Sequence, residues 1–118
     1  MKMDPEPFPP LSLAAQHILL ALSDEDRHGY GIMQEVARQS GDNYKLGSGT
    51  LYDNLQKLIE QGLVMEARSP SKKEDSRRRY YRMTALGRGV FSAEIKRLES
   101  MVRQGKLRLR GARPKEVL

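Results

Sequence analysis

The chain has no cysteine, no tryptophan and only two histidines, His17 and His28, among its 118 residues. Without thiols there is no disulfide framework, no thiolate zinc site and no cysteine nucleophile. Two imidazoles with no recognised ligand spacing offer little to acid–base catalysis or to a metal. Long apolar runs are missing as well, and no window approaches the roughly 18 consecutive apolar residues of a membrane-spanning helix. Residues 1–10 are acidic and proline-rich, where a secretory leader would be basic and then apolar, so a cytoplasmic location without membrane partners is expected. The best enzyme-like cluster is His28 beside Asp24, Glu25 and Asp26, which reads as a solvated acidic turn ahead of a helix. The pair Gly47 and Gly49 lacks the Gly-Lys-Ser/Thr ending of a nucleotide-phosphate loop. No catalytic residue, metal or cofactor is expected.

Positive charge, by contrast, is abundant and uneven. The 21 Lys and Arg outweigh 15 Asp and Glu for a net +6. Residues 1–67 carry 5 basic and 10 acidic groups, residues 68–88 carry 8 and 2, residues 89–102 carry 2 and 2, and residues 103–118 carry 6 and 1. The first basic block holds Arg68, Lys72, Lys73, Arg77, Arg78, Arg79, Arg82 and Arg88. Such density repels itself unless solvent or a polyanion relieves it, and charge alone does not separate those two readings.

At this length one domain is expected. Residues 1–10 hold four of the six prolines and form an extended lead-in. Leu11, Ala14, Ala15, Ile18 and Leu22 recur at helical spacing, with Ser12 as a cap, and predict a first helix of about twelve residues. A second helix follows His28-Gly29, buries Ile32, Met33, Val36 and Ala37, and ends near Ser40-Gly41, where glycine suits a left-handed cap. Ser48 opens a third helix running to about Gln61. On it Leu51, Leu55, Leu58 and Ile59 share one stripe, whereas Thr50, Asp53, Asn54, Lys57 and Gln61 lie opposite and Tyr52 stands at the border. Leu63–Ala67 and Arg79–Thr84 predict a hairpin with a long basic tip. In its second strand Tyr81 and Met83 alternate with Tyr80 and Arg82, one face covered and the other wet. Thr84 caps a final helix whose Phe91, Ile95, Leu98 and Val102 form an apolar seam, and residues 105–118 read as a basic tail.

Three helices followed by a charged hairpin make a mainly α fold with a small β-hairpin: a winged helix-turn-helix over residues 11–84, with a helix at 85–104 suited to dimerisation. In that arrangement the third helix enters the major groove of duplex DNA and the wing lies on the neighbouring backbone. Ser48, Thr50, Asp53, Asn54 and Lys57 can exchange hydrogen bonds with bases or phosphates, while the arginines and lysines of the wing neutralise phosphates. The amides at Gly47-Ser48-Gly49-Thr50 offer a positive helix end, and the glycines permit close approach.

The strings Gly29-Tyr-Gly-Ile-Met-Gln-Glu-Val36, Gly47-Ser-Gly-Thr-Leu-Tyr52 with Leu55, Leu58 and Gly62-Leu-Val64, and Arg78-Arg-Tyr-Tyr-Arg-Met-Thr-Ala-Leu-Gly87 resemble the PadR family of bacterial transcriptional regulators, over about residues 11–102. The resemblance implies a homodimeric repressor that binds a roughly palindromic operator and dimerises through its C-terminal helix. It implies helix contacts from Ser48, Gly49, Thr50, Tyr52 and Lys57, and wing contacts from Lys72, Lys73, Arg77 and Arg78. Some members release DNA on binding phenolic acids or drug-like aromatics, which makes a small aromatic effector a possible partner. Members that trap planar drugs use a tryptophan at the dimer centre, and this chain has none; with one helix after the wing, it resembles the short subfamily. The competing reading is a winged helix that grips another protein or binds polyanions without sequence preference.

Overall fold

The structure, a computed structural model, describes residues 8–68 and 78–111. Helix α1 spans Leu13–Ala21, two residues later in its start than the apolar spacing suggested, because Ser12 caps it: the Ser12 hydroxyl accepts from the Ala15 amide at 3.1 Å. A two-residue strand β1, Arg27–His28, leads directly into α2, Gly29–Gln39. Ser40 ends that helix, and Gly41 follows in the left-handed region at φ +59°. Helix α3 is Ser48–Glu60, followed by strands β2, Val64–Ala67, and β3, Tyr80–Met83, and by the long helix α4, Ala85–Gly111.

The sheet has three strands in the order β1-β3-β2, all antiparallel, so the expected hairpin gains a partner on its other edge. That partner corrects the reading of Tyr80 as a wet-face residue. Tyr80 pairs with His28 across the β1–β3 ladder, meets its imidazole edge-on at 5.4 Å, and is as buried as Tyr81. Alternation along β3 fails because β1 and the start of α2 cover the face that a lone hairpin would expose.

Ile18 and Leu19 of α1, Ile32 and Val36 of α2, and Leu51, Leu55 and Leu58 of α3 close on one another with Leu63 and Val64 of the hairpin. The stripe on α3 is narrower than expected, since Ile59 lies at the surface. α3 stops in a glycine-terminated turn: Gly62 takes φ +79°, its amide donates to the Ile59 carbonyl, and the Leu63 amide donates to the Leu58 carbonyl at 2.9 Å. That turn aims β2 back along the helix and fixes where the wing leaves it.

α4 crosses the back of this core. The Thr84 hydroxyl accepts from the Gly87 amide, capping α4 as its sequence suggested, and donates to the Gly62 carbonyl at 2.6 Å. A Cβ on Gly87 would stand 2.0 Å from the Leu63 carbonyl oxygen, so the absence of a side chain there lets the helix seat on the hairpin. Farther along, the buried Glu94 carboxylate accepts from the Leu11 amide at 3.1 Å, from Gln16 at 2.9 Å and from Arg97 at 2.9 and 3.0 Å. These bonds tie α4 to the entry of α1 and hold the carboxyl at about 2, with Arg97 the main cause, then Gln16 and the Leu11 amide, against the opposing effect of burial.

Phe91 packs against the chain's own core and so departs from the expected seam of Phe91, Ile95, Leu98 and Val102. Beyond it α4 continues helical to Gly111, past the expected end at 104, and part of what read as a tail is helix. One interior glycine, Gly105, costs about 1 kcal/mol and does not stop a helix of this length, whose last turn carries Arg108 and Arg110 at the negative end of its dipole. None of the helices among the described residues is long and apolar enough to cross a membrane.

Candidate nucleic-acid interface

With Leu51, Leu55 and Leu58 held in the core, helical geometry turns the rest of α3 to solvent. Ser48, Gly49, Thr50, Tyr52, Asp53 and Lys57 are all exposed there. Asn54 is only half-exposed, and its amide donates to the Thr50 carbonyl one turn back at 2.8 Å, so part of its hydrogen-bonding capacity is engaged within the helix. The helix start is open: Gly47 occupies the cap position without a side-chain bond to the first turn, and only the Leu51 amide returns to its carbonyl. A Cβ built on Gly47 or Gly49 would meet nothing within 4 Å, and neither backbone takes a positive φ. Neither neighbouring side chains nor backbone conformation demands glycine at these positions. Their lack of side chains leaves the first amides of α3 bare toward whatever approaches.

The wing is less free than its charge suggested. Arg82 is bound in a fork by Asp26, at 2.8 Å from Nη2 and 3.2 Å from Nε. Arg88 donates to the Ser23 carbonyl at 3.0 Å, and Arg79 lies 3.6 Å from Glu66. The acidic turn that looked merely solvated is therefore a partner for the arginines: Asp26 holds Arg82, while Asp24 and Glu25 flank Arg27 at 3.4 and 3.1 Å. Arg78 is exposed near the base of the wing, its Nη1 3.1 Å from His28 Nε2, whereas Lys72, Lys73 and Arg77 lie outside the described residues.

Between the start of α2, the face of α3 and the base of β3 lies an open cleft of about 440 Å³, lined by His28, Gly29, Tyr30, Tyr52, Arg78 and Tyr81 among others. Tyr52 does stand at a border, as its wheel position suggested. Its ring is half-exposed, and its hydroxyl sits over Gly29, where a Cβ would come within 2.3 Å of it. Burial, then Tyr52 and Glu66, push the Tyr81 phenol above its ordinary value against the opposing effect of Arg79, so it keeps its proton at neutral pH. Neither His28, read above as part of an acidic turn, nor Tyr30 was expected at this site. The available signal was the His-Gly-Tyr-Gly string at the start of α2, but histidine is not among the residues that usually cap a helix.

On α4 the exposed Ile95 and Val102 and the half-buried Leu98 lie on one side of the helix. With Leu107 they line an open apolar groove of about 580 Å³, edged by Glu99, Arg103, Lys106 and Arg110. Among the described residues no three His, Asp or Glu side chains gather as a metal site would require.

The profile described as "Transcriptional regulator PadR-like family" matches residues 18–93, which covers α1 from its middle through the first turns of α4. Transcriptional regulator Rv3488 of Mycobacterium tuberculosis is 35% identical over 89 residues, spanning 75% of this chain and 78% of that protein. The structure of H. salinarum RosR superposes with a TM-score of 0.57 at 30% identity, over 80% of this chain and 76% of that one. A PadR-like transcriptional regulator from Bacillus cereus shares the fold, with a TM-score of 0.70 at 18% identity over 82% of this chain and 91% of that one.

Proposed function

The chain belongs to the PadR-like family of transcriptional regulators, whose members regulate and do not catalyse, and we propose that it acts as a homodimeric repressor on a roughly palindromic DNA operator. The exposed polar face of α3 carries this reading: a helix anchored by three buried leucines presents Ser48, Thr50, Tyr52, Asp53 and Lys57 outward from a bare, glycine-flanked start. A major groove about 12 Å wide admits such a helix, and side chains near its N-terminus meet base edges there. Arg78 and the wing residues Lys72, Lys73 and Arg77 neutralise the flanking phosphates, supplying affinity that falls as salt rises. Asn54 contributes less than its neighbours because it is partly engaged with Thr50. The second copy covers the α4 groove at Ile95, Leu98 and Val102.

Selection of binders from a pool of randomised duplexes tests the reading. The expected result is one enriched, roughly two-fold-symmetric sequence whose log affinity falls linearly with log salt. Thr50→Ala is expected to relax the choice of sequence, whereas Lys73→Ala weakens all sequences alike and lowers the salt slope by about one. Enrichment of no sequence, or equal binding to any polyanion, would remove the proposal.

A further inference from the structure

His28 presents a hydrogen-bonding contradiction that the described residues do not resolve. Its Nδ1 accepts from the Gly31 amide at 3.0 Å, capping α2, so Nδ1 carries a lone pair. In a neutral imidazole the proton then resides on Nε2. Yet Nε2 lies 3.1 Å from Nη1 of Arg78, and a guanidinium nitrogen can only donate. Two donors thus point into the same space at the edge of the cleft. The hydroxyl of Tyr52 stands close by over Gly29, and α2, eleven residues long, directs the positive end of its dipole to the same place.

What such an arrangement lacks among the described residues is an acceptor, preferably an anionic one shared by both donors. We propose that the cleft between His28 and Arg78 seats one backbone phosphate of the DNA duplex, with a phosphate oxygen accepting from both His28 Nε2 and the Arg78 guanidinium. This rests on the DNA-binding reading above and extends it to a second point of attachment, separate from the start of α3 and from the wing tip. A phosphate answers the geometry because its several oxygens satisfy donors converging from different elements, and the cleft is open enough for a backbone to pass across it. Tyr52 then works from both sides, its ring on the exposed face of α3 and its hydroxyl at the cleft. The clamp fixes where along the groove α3 sits and reads no base.

The test uses a duplex enriched from the randomised pool, synthesised as a series in which one backbone phosphate at a time is replaced by an uncharged methylphosphonate. His28→Asn preserves a good helix cap while removing the Nε2 donor, and Arg78→Gln removes the charge from an exposed position without a folding risk. At one phosphate in each half-site the wild-type dimer is expected to lose about tenfold in affinity, and both variants to lose little more there than they have already lost on unmodified duplex. Arg78→Gln is also expected to lower the salt slope by about 0.9 for each clamp lost. The clamp is overturned if every methylphosphonate weakens the variants as much as the wild type. It is equally overturned if inorganic phosphate shifts the His28 imidazole resonances while the duplex leaves them in place, which would mark a site for a small free anion. Enrichment of no duplex at all would instead bring down the DNA-binding reading, and the clamp with it.

Discussion

Glycine at position 49 and glycine at position 87 are both helical, and the space around them gives them opposite meanings. Nothing stands where a Cβ on Gly49 would go, whereas on Gly87 it would run into the Leu63 carbonyl oxygen at 2.0 Å. Gly49→Ala is therefore expected to hold or raise the stability of the fold, by up to about 1 kcal/mol through helix propensity, and to weaken binding of the enriched duplex about tenfold. Thermal melting alongside fluorescence anisotropy checks this, and unchanged affinity would show that no DNA backbone comes near the start of α3. Gly87→Ala is expected to cost about 2–3 kcal/mol in urea denaturation, because a backbone carbonyl cannot yield as a side chain does. The two glycines look alike in the sequence, since what distinguishes them lies on a different strand. The same is true of His28: that it caps α2 could be suspected from its place before Gly29, but that its other nitrogen faces Arg78 depends on a contact fifty residues away.

Among the elements, the attachment of α4 to α1 is a joint sensitive to acid. Glu94 sits at about 2 in the folded chain, against about 4.3 for an unfolded glutamate, so it stabilises the fold by roughly 3 kcal/mol above about pH 5. That contribution is lost as the pH falls through 4 toward 2. Urea midpoints measured at pH 7, 4 and 3 are expected to fall steeply for the wild type and more gently for Glu94→Gln, which starts lower because it loses the charge-assisted bond from Arg97. Equal slopes would show that the carboxylate is not held in this way. The elements themselves were largely legible in the sequence. Ser12 and Thr84 announced their caps, the leucine stripe announced α3, and Gly41 announced a left-handed stop. Strand β1 was not legible, because two residues carry no periodicity, and the burial of Tyr80 followed from it. Nor was the extent of α4, where a lone glycine and a basic run looked like an ending and were not. On the candidate site, the exposed row of α3 was visible in the wheel, but the pairing of Arg82 with Asp26 and of Arg88 with Ser23 was not, because charge counting cannot tell a held arginine from an available one.

For the molecule as a whole, the proposed palindrome sets two half-sites about 34 Å apart, which two linked copies of α3 would have to meet. In the proposed dimer the link is the groove on α4, and Leu98→Asp is expected to yield monomers in light scattering and to abolish tight binding of the enriched palindrome while leaving the melting temperature of each subunit nearly unchanged. A variant that stayed dimeric would move the contact to another face. The 27 residues of α4 form one unbroken rod of about 40 Å, seated at Gly87 and pinned at Glu94. In such an assembly it serves as a ruler as well as a fastener. Inserting a single residue between Arg97 and Leu98 would swivel Leu98 and Val102 by about 100° about the rod relative to each head, out of phase with the double helix, whereas inserting seven would nearly restore the heading and lengthen each rod by about 10 Å. The separation of half-sites that the protein tolerates is on this view written into the helical pitch of its last element.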